Sequence, residues 1–221
     1  MKQSIYIIIS ILILIYLLND LEIYENTFYK EIYTIYKPTS IDVLVNKNNK
    51  LDKNYIPTDL KLIDKEYAYD NKYLRKEACN AFIYMVKDAK KQGYNIIAVS
   101  TYRSYDYQEK LYNNYVKEKG LYYADMASAR AGHSEHQTGL AVDIADLSLD
   151  YDNFEKTKEF TWVKNNAHKY GFILRYPKNK AYITGFKYEP WHYRYVGKQI
   201  ATIIYFENIT LEEYYFRFLK K

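Results

Sequence analysis

Two pairs of polar residues in the second half of the chain have the types and spacing of metal ligands. In the segment SEHQTGLAVDI, His136 lies seven positions before Asp143, which is flanked by valine and isoleucine. A carboxylate within an apolar strand is costly to bury unless a cation or hydrogen-bond donors meet it. In the segment EPWH, Glu189 precedes His192 by three residues. Imidazole nitrogens and carboxylate oxygens are ligands that zinc accepts, and a catalytic zinc site uses three protein ligands.

These four side chains can divide into three metal ligands and one general base. Two histidines and one aspartate fill the three ligand positions, which leaves Glu189 as the natural base for a water molecule. The sequence has no HExxH motif, so both histidines cannot come from one helix face, and the site must be assembled between sheet segments. Either pair alone is a weak signal, because single histidines and aspartates are often surface or structural groups.

A third motif, STYRSYDYQ, places Arg103 directly after a predicted buried strand and before a predicted helix cap. A guanidinium at a strand end suits a carboxylate or an oxyanion, and Gln108 could hydrogen-bond the end of a peptide. The alternative is an ordinary salt bridge for Arg103 and a solvent-exposed position for Gln108. Of the other histidines, His133 is a candidate for a contact beside the site, and His168 is expected to pack in a helix.

Taken together, these motifs resemble the VanY-type D-alanyl-D-alanine carboxypeptidases. That family belongs to a zinc peptidase superfamily with lysostaphin and the hedgehog signalling domain. The segment SEHQTGLAVDI resembles the family signature S-x-H-x-x-G-x-A-x-D. The segments YRSYDYQ, GFILRYP and EPWHYRYVG are similar to other family blocks in the same order. The resemblance covers roughly residues 41–206 and implies a small α+β domain with an antiparallel sheet.

The resemblance also implies a role for each candidate residue. Glu189 is the general base and then the proton donor to the leaving amine, and Arg103 stabilises the polarised carbonyl oxygen. One zinc ion is bound by His136, Asp143 and His192. The terminal residue of the substrate is held by Gln108, Ser134 and Tyr176.

The activity that this resemblance implies is a zinc-dependent D,D-carboxypeptidase that removes the C-terminal D-alanine from peptidoglycan stem peptides. An L,D-carboxypeptidase acting on tetrapeptide stems would use the same metal ligands, and an endopeptidase would differ in how far the cleft is open. A non-catalytic cell-wall-binding module is the alternative from another class. The intact Glu189 argues against it, because a binding module does not need a base.

Hydrophobic periodicity predicts the elements that position these residues. Helical spacing from residue 74 to 89 ends near Gly93, and a buried strand spans residues 95–100. Ser104 is expected to cap a helix that stops at Gly120. The remaining predictions are a strand at 139–144, a helix ending at Gly171, strands from 172 and over 191–196, and amphipathic segments at 197–206 and 210–219. This order predicts an α+β fold with a largely antiparallel sheet flanked by helices.

The N-terminal residues predict export from the cytoplasm. An apolar run over residues 5–18 follows a lysine and is closed by Asn19 and Asp20. We interpret residues 1–23 as an uncleaved membrane anchor with the catalytic domain outside the cytoplasmic membrane, and a cleaved signal with a secreted enzyme as the alternative. Residues 24–40 are predicted to form a stalk, and residues 41–221 the catalytic domain.

Composition limits the other classes of partner. The net charge of +5 is mild and includes no block of like charges, so a nucleic-acid partner is not expected. Cys79 is the single cysteine, which excludes an intrachain disulfide, and its helical context predicts a small buried residue. We expect a monomer.

Overall fold

The computed structural model describes residues 6, 9–12, 28–150 and 153–219. Most of the predicted membrane anchor lies outside these residues. Within the described ranges, no helix has both the length and the apolar character that crossing a bilayer requires. The anchor therefore stays a prediction.

From residue 28 onwards, four short strands come first, and the other four strands lie between α-helices. The strands are β1 (Tyr33–Thr34), β2 (Asn49–Lys50), β3 (Leu60–Leu62), β4 (Tyr73–Arg75), β5 (Ile96–Ser100), β6 (Ala141–Asp146), β7 (Phe172–Leu174) and β8 (His192–Tyr195). The α-helices are α1 (Lys76–Lys91), α2 (Tyr105–Lys119), α3 (Leu121–Ala127), α4 (Lys158–Asn166), α5 (Ala181–Thr184), α6 (Lys198–Glu207) and α7 (Leu211–Tyr214).

A four-stranded sheet in the order β5-β6-β8-β7 forms the centre of the domain, and each neighbouring pair is antiparallel. Strand β6 lies inside the sheet, and its first five residues are buried. A strand buried on both faces has no solvent-facing side, which explains the apolar run around Asp143. The predicted α+β class with a largely antiparallel sheet is confirmed.

Helix α1 covers the sheet with one apolar face. Its buried residues recur at helical spacing and belong to the main hydrophobic core: Ala78, Cys79, Phe82, Met85, Val86 and Ala89. The ring of Phe82 meets the ring of Phe172 on β7 edge to face, with the centroids 6.3 Å apart. The expected burial of Cys79 is confirmed.

Helix α2 begins and ends where the sequence predicts. The side chain of Ser104 accepts a hydrogen bond from the backbone N–H of Tyr107, which caps the first turn. Gly120 ends the helix with a φ of +85°. Helix α3, which follows at once, was not predicted, because LYYADMA has no clear helical period.

The segment before residue 41 differs from the predicted stalk. Strand β1 pairs in parallel with β2, and the ring of Tyr29 packs edge to face on His133 with the centroids 5.0 Å apart. The guanidinium of Arg130 lies 4.0 Å from the centre of the same tyrosine ring. Residues 28–40 therefore pack on the domain instead of leading away from it.

Candidate metal centre and active site

Three elements bring the predicted metal ligands together. His136 lies on a 3₁₀ turn, Glu135–Thr138, that ends at Gly139 with a left-handed φ of +67°. Asp143 is the third residue of β6, and His192 is the first residue of β8. The register of β6 and β8 places Asp143 directly opposite His192, so both side chains lie on one face of the sheet.

The ligand atoms are as close as a shared ion requires. One atom from each of His136, Asp143 and His192 lies within 4.8 Å of the other two. The His136 Nε2 atom is 3.4 Å from Asp143 Oδ2, and His192 Nδ1 is 2.9 Å from Asp143 Oδ1. Two donors at zinc bond lengths and a tetrahedral angle are about 3.3 Å apart. These distances, and a set of two nitrogen donors and one oxygen donor, fit a zinc ion.

The imidazole of His136 presents a free lone pair to this point. Its Nδ1–H donates to the Thr101 carbonyl oxygen at 2.6 Å, which fixes the tautomer and leaves Nε2 unprotonated. Burial, together with the nearby charge of Arg103, lowers the pKa of His136 to about 4. Among the described residues, no hydrogen-bond partner reaches the buried Nε2 atom. A metal ion would satisfy this atom.

Thr101 reaches His136 because β5 ends in an irregular register. The pairing of β5 with β6 shifts between Ala98 and Ser100, which is a β-bulge or a similar irregularity. Bulges often lie next to active sites, where they redirect the following residues. Here the residues that follow place the Thr101 carbonyl and the backbone N–H of Arg103, which donates to the His136 carbonyl oxygen at 3.2 Å.

The second histidine is held from both ring nitrogens and from one face. His192 Nε2 lies 3.4 Å from Glu135 Oε2, while Nδ1 faces Asp143. The ring of Tyr176 stacks on the imidazole with the centroids 4.9 Å apart. Burial lowers the pKa of His192, but hydrogen bonds to Asp143 and Glu135 outweigh it and raise the pKa to about 9. A metal ion that binds Nδ1 must therefore displace a proton.

Glu135 is a functional residue that the sequence reasoning missed. Its carboxylate is fully buried, and Oε1 accepts hydrogen bonds from Arg175 Nε and Arg194 Nη1, both at 2.8 Å. Burial opposes ionisation of Glu135, but the two guanidiniums hold its pKa well below the usual range. The available signal was the two arginines inside the largely apolar segments FILRYP and WHYRYV, together with a glutamate directly beside His136.

A cleft of about 420 Å³ opens above the metal ligands. The predicted residues that line it are His136, Asp143, His192, Glu189, Arg103, Ser134 and Tyr176. Burial raises the pKa of Glu189 to about 7, which suits a group that must take a proton and later return it. Arg103 also faces the cleft, and its buried Nε atom has no hydrogen-bond partner among the described residues.

Gln108 is placed differently from the prediction. It is buried behind the wall of the cleft, where its amide nitrogen donates to the Ala129 carbonyl oxygen at 2.7 Å and to Ser128 Oγ at 3.2 Å. Because Ser128 and Ala129 line the cleft and Gln108 does not, Gln108 supports this wall and does not face the substrate directly.

The remaining two histidines lie away from the metal ligands. His133 contacts the Asn46 carbonyl oxygen at 2.9 Å and lines a different cavity. His168 stacks on Tyr205 with the ring centroids 3.8 Å apart, as a packing residue would.

Comparison with known proteins gives one family. The VanY model, described as D-alanyl-D-alanine carboxypeptidase, matches residues 71–198. YodJ of Bacillus subtilis, which is named as a carboxypeptidase, is 49% identical over 189 residues, which cover 82% of this chain and 69% of YodJ. The structure of the LD-carboxypeptidase LdcB aligns with a TM-score of 0.80 at 48% identity, over 85% of this chain and 91% of that chain.

A solved VanY also carries the metal that the site predicts. This VanY, a D,D-pentapeptidase variant in complex with Zn(II), aligns with a TM-score of 0.67 at 34% identity, over 78% of this chain and 97% of that chain. The matched segment contains the three candidate metal ligands, the buried glutamate at position 189 and the arginine at position 103. The chain belongs to the VanY family of D-alanyl-D-alanine carboxypeptidases and is a peptide hydrolase.

Proposed function

We propose that this protein is a zinc carboxypeptidase that removes the terminal D-alanine from peptidoglycan stem peptides. The observation that carries the proposal is the convergence of His136, Asp143 and His192 at the base of a cleft that also holds Glu189 and Arg103. A general base and a cation beside a three-ligand metal site match the requirements of peptide hydrolysis.

The three ligands would hold zinc through His136 Nε2, a carboxylate oxygen of Asp143 and His192 Nδ1. When bound, zinc supplies Lewis acidity, which polarises a carbonyl group and makes water a better nucleophile at neutral pH. The protein prepares this site in advance, because Thr101 and Glu135 fix the orientation of the two imidazoles.

Glu189 and Arg103 carry the remaining chemistry. Glu189 accepts the proton of the attacking water and then gives it to the departing amine, so its carboxyl must exchange a proton near neutral pH. Arg103 donates to the oxygen of the scissile carbonyl as negative charge develops there, and its buried, unpaired Nε atom leaves that donor available. Ser134, which lines the same cleft, is our candidate for a polar contact to the free carboxylate of the substrate.

We favour L,D specificity, in which the substrate is a tetrapeptide stem. The likeness to LdcB, at 48% identity and a TM-score of 0.80, supports this choice over the likeness to the D,D-pentapeptidase VanY, at 34% and 0.67. D,D specificity for pentapeptide stems is the second candidate, and the description of the matching family model favours it.

Mass spectrometry of defined substrates tests both candidates. The full-length chain, loaded with zinc and kept in mild detergent, is incubated with tetrapeptide and pentapeptide muropeptides. Loss of one alanine from the tetrapeptide alone supports L,D specificity, and loss from the pentapeptide alone supports D,D specificity. Cleavage of neither substrate rejects the proposal. The Glu189→Gln variant is the control and must cleave both substrates at least about 10²-fold more slowly.

We also propose that the N-terminal apolar run holds the enzyme in the cytoplasmic membrane with the catalytic domain outside. The support is the run over residues 5–18 and its preceding lysine. Membrane fractionation of cells followed by protease treatment tests it. The expected result is a membrane-bound chain that protease degrades from the outside, and a soluble chain in the culture medium would indicate a cleaved signal instead.

A further inference from the structure

A buried ionic chain connects the candidate metal centre to α7, the last α-helix among the described residues. Glu135 accepts from Arg175 Nε at 2.8 Å, and the two terminal nitrogens of Arg175 donate to the carboxylate of Glu212 at 2.8 and 2.6 Å. Glu212 lies on α7 and comes after the segment that the family model matches, which ends at residue 198. This ionic chain therefore runs from His192 to Glu212, which lies outside the segment that the family model matches.

The charges along this connection balance. Arg175, Arg194 and Glu135 have no exposed side-chain surface, and the side chain of Glu212 is 13% exposed. Two guanidiniums face two carboxylates, so the group as a whole is neutral. Buried charges are tolerated only when they are paired and hydrogen-bonded, and removal of one partner leaves the other uncompensated.

Glu212 determines how the hydrogen bonds of the Arg175 guanidinium are divided between two carboxylates. With Glu212 present, the guanidinium of Arg175 offers two nitrogens to Glu212 and only Nε to Glu135. Without that carboxylate, Glu135 would be the only carboxylate paired with Arg175, and it would still be paired with Arg194 as well. Glu135 would then be a weaker acceptor for the Nε2–H of His192, and the imidazole that must direct Nδ1 to the metal would lose part of its restraint.

We propose that Glu212 is a positioning residue of the metal centre, which acts on His192 through Arg175 and Glu135. This inference depends on the proposed metal site but not on the substrate. Residues that orient metal ligands through hydrogen bonds contribute tenfold or more to metal affinity in other proteins. The helix α7 is thus a part of the active-site scaffold.

Zinc affinity, measured by competition with a chromophoric chelator at pH 7, tests the proposal without any substrate. The Glu212→Gln variant keeps the shape of the side chain and removes its charge, and we expect its Kd for zinc to rise roughly tenfold. Glu213→Gln is the matched control. Glu213 lies on the same helix, caps it and pairs with Lys180 at 3.1 Å, and within the described part of the chain it makes no hydrogen bond or salt bridge to Arg175.

Thermal unfolding of the zinc-free proteins separates a positioning role from a structural one. The proposal is overturned if Glu212→Gln binds zinc within twofold of the unaltered protein, or if Glu212→Gln and Glu213→Gln raise the zinc Kd and lower the melting temperature equally. If Glu212→Gln does not fold, Glu212→Asp is compared with Glu213→Asp, and a raised zinc Kd in the first alone supports the proposal, whereas equal values overturn it. A protein that binds zinc but cleaves neither muropeptide would reject the proposed function and leave this inference intact.

Discussion

Replacement of Glu189 by glutamine should stabilise the folded protein while it removes the activity. Glutamine has nearly the shape of glutamate but cannot ionise, so it avoids burying a charge beside Asp143. Burial raises the pKa of Glu189 from the ordinary 4.5 to about 7 in the metal-free protein. A group tuned for proton transfer in this way lowers the stability of the fold at the pH where it works.

The sign and size of the effect follow from proton linkage. Between pH 4.5 and about 7 the folded protein holds a proton on Glu189 that the unfolded chain has lost, so the free energy of unfolding falls as the pH rises. The difference between the two pKa values corresponds to about 3 kcal/mol, since one pKa unit is worth about 1.4 kcal/mol. The Glu189→Gln protein does not lose this stability, because glutamine cannot ionise. Its free energy of unfolding should exceed that of the unaltered protein by less than about 1 kcal/mol at pH 5 and by about 3 kcal/mol at pH 8.

Urea unfolding at pH 5 and pH 8, in the presence of a chelator, measures this difference. In a domain of this size about 3 kcal/mol also corresponds to a rise in melting temperature of roughly 6–12 °C. Glu118 on α2 provides the control, because it is exposed and Glu118→Gln removes a carboxylate that is not buried. Hydrolysis by the zinc-loaded Glu189→Gln protein should fall by a factor of about 10² to 10⁴.

The reasoning would be refuted by a stability gain that is the same at both pH values, because a pH-independent gain reflects packing and not ionisation. It would also be refuted by a variant that is more stable at pH 8 but hydrolyses muropeptides at the original rate.

Three further predictions concern the same site. A chelator should abolish hydrolysis and added zinc should restore it, as followed by release of alanine; activity that survives the chelator contradicts the metal site. Arg103→Lys should lower kcat by about 10²- to 10³-fold with little change in KM, and steady-state kinetics would show this. Gly139→Ala should cost about 1–3 kcal/mol in urea unfolding, because φ is +67° and the new Cβ would lie 2.9 Å from Leu60 Cδ2. Gly93→Ala, with a φ of +83° but nothing within 4 Å, should cost less.

The candidate metal ligands and the candidate base could be proposed from the sequence because the chain has only four histidines and because Asp143 has unusual, apolar neighbours. The carboxylate of Asp143, between a valine and an isoleucine, requires a cation or hydrogen-bond donors, and the proposed metal ion is such a cation. The helix boundaries at Ser104 and Gly120 followed from local rules, since a cap and a left-handed glycine depend on neighbouring residues alone.

The parts that the sequence did not reveal depend on long-range contacts. Glu135 and its arginine partners at positions 175 and 194 are 40 and 59 residues apart in sequence, and their burial could not be read from charge alone. The position of Gln108 also depends on long-range contacts, because its hydrogen-bond partners come from the loop after α3 and not from its own helix. The packing of Tyr29 on His133 could not be predicted, because tyrosine is frequent throughout the chain and its type alone does not distinguish position 29.

Because Asp143 lies opposite His192 across β6 and β8, binding of the proposed ion would require the correct register of these two strands. A shift of one residue between these strands would turn one of the two side chains to the opposite face of the sheet. A chain with that error could still collapse and bury much of its apolar surface, but it could not bring an imidazole and a carboxylate to the same point. Binding of the proposed ion would therefore stabilise only those molecules whose strands are aligned, and the same ion would complete the proposed catalytic centre.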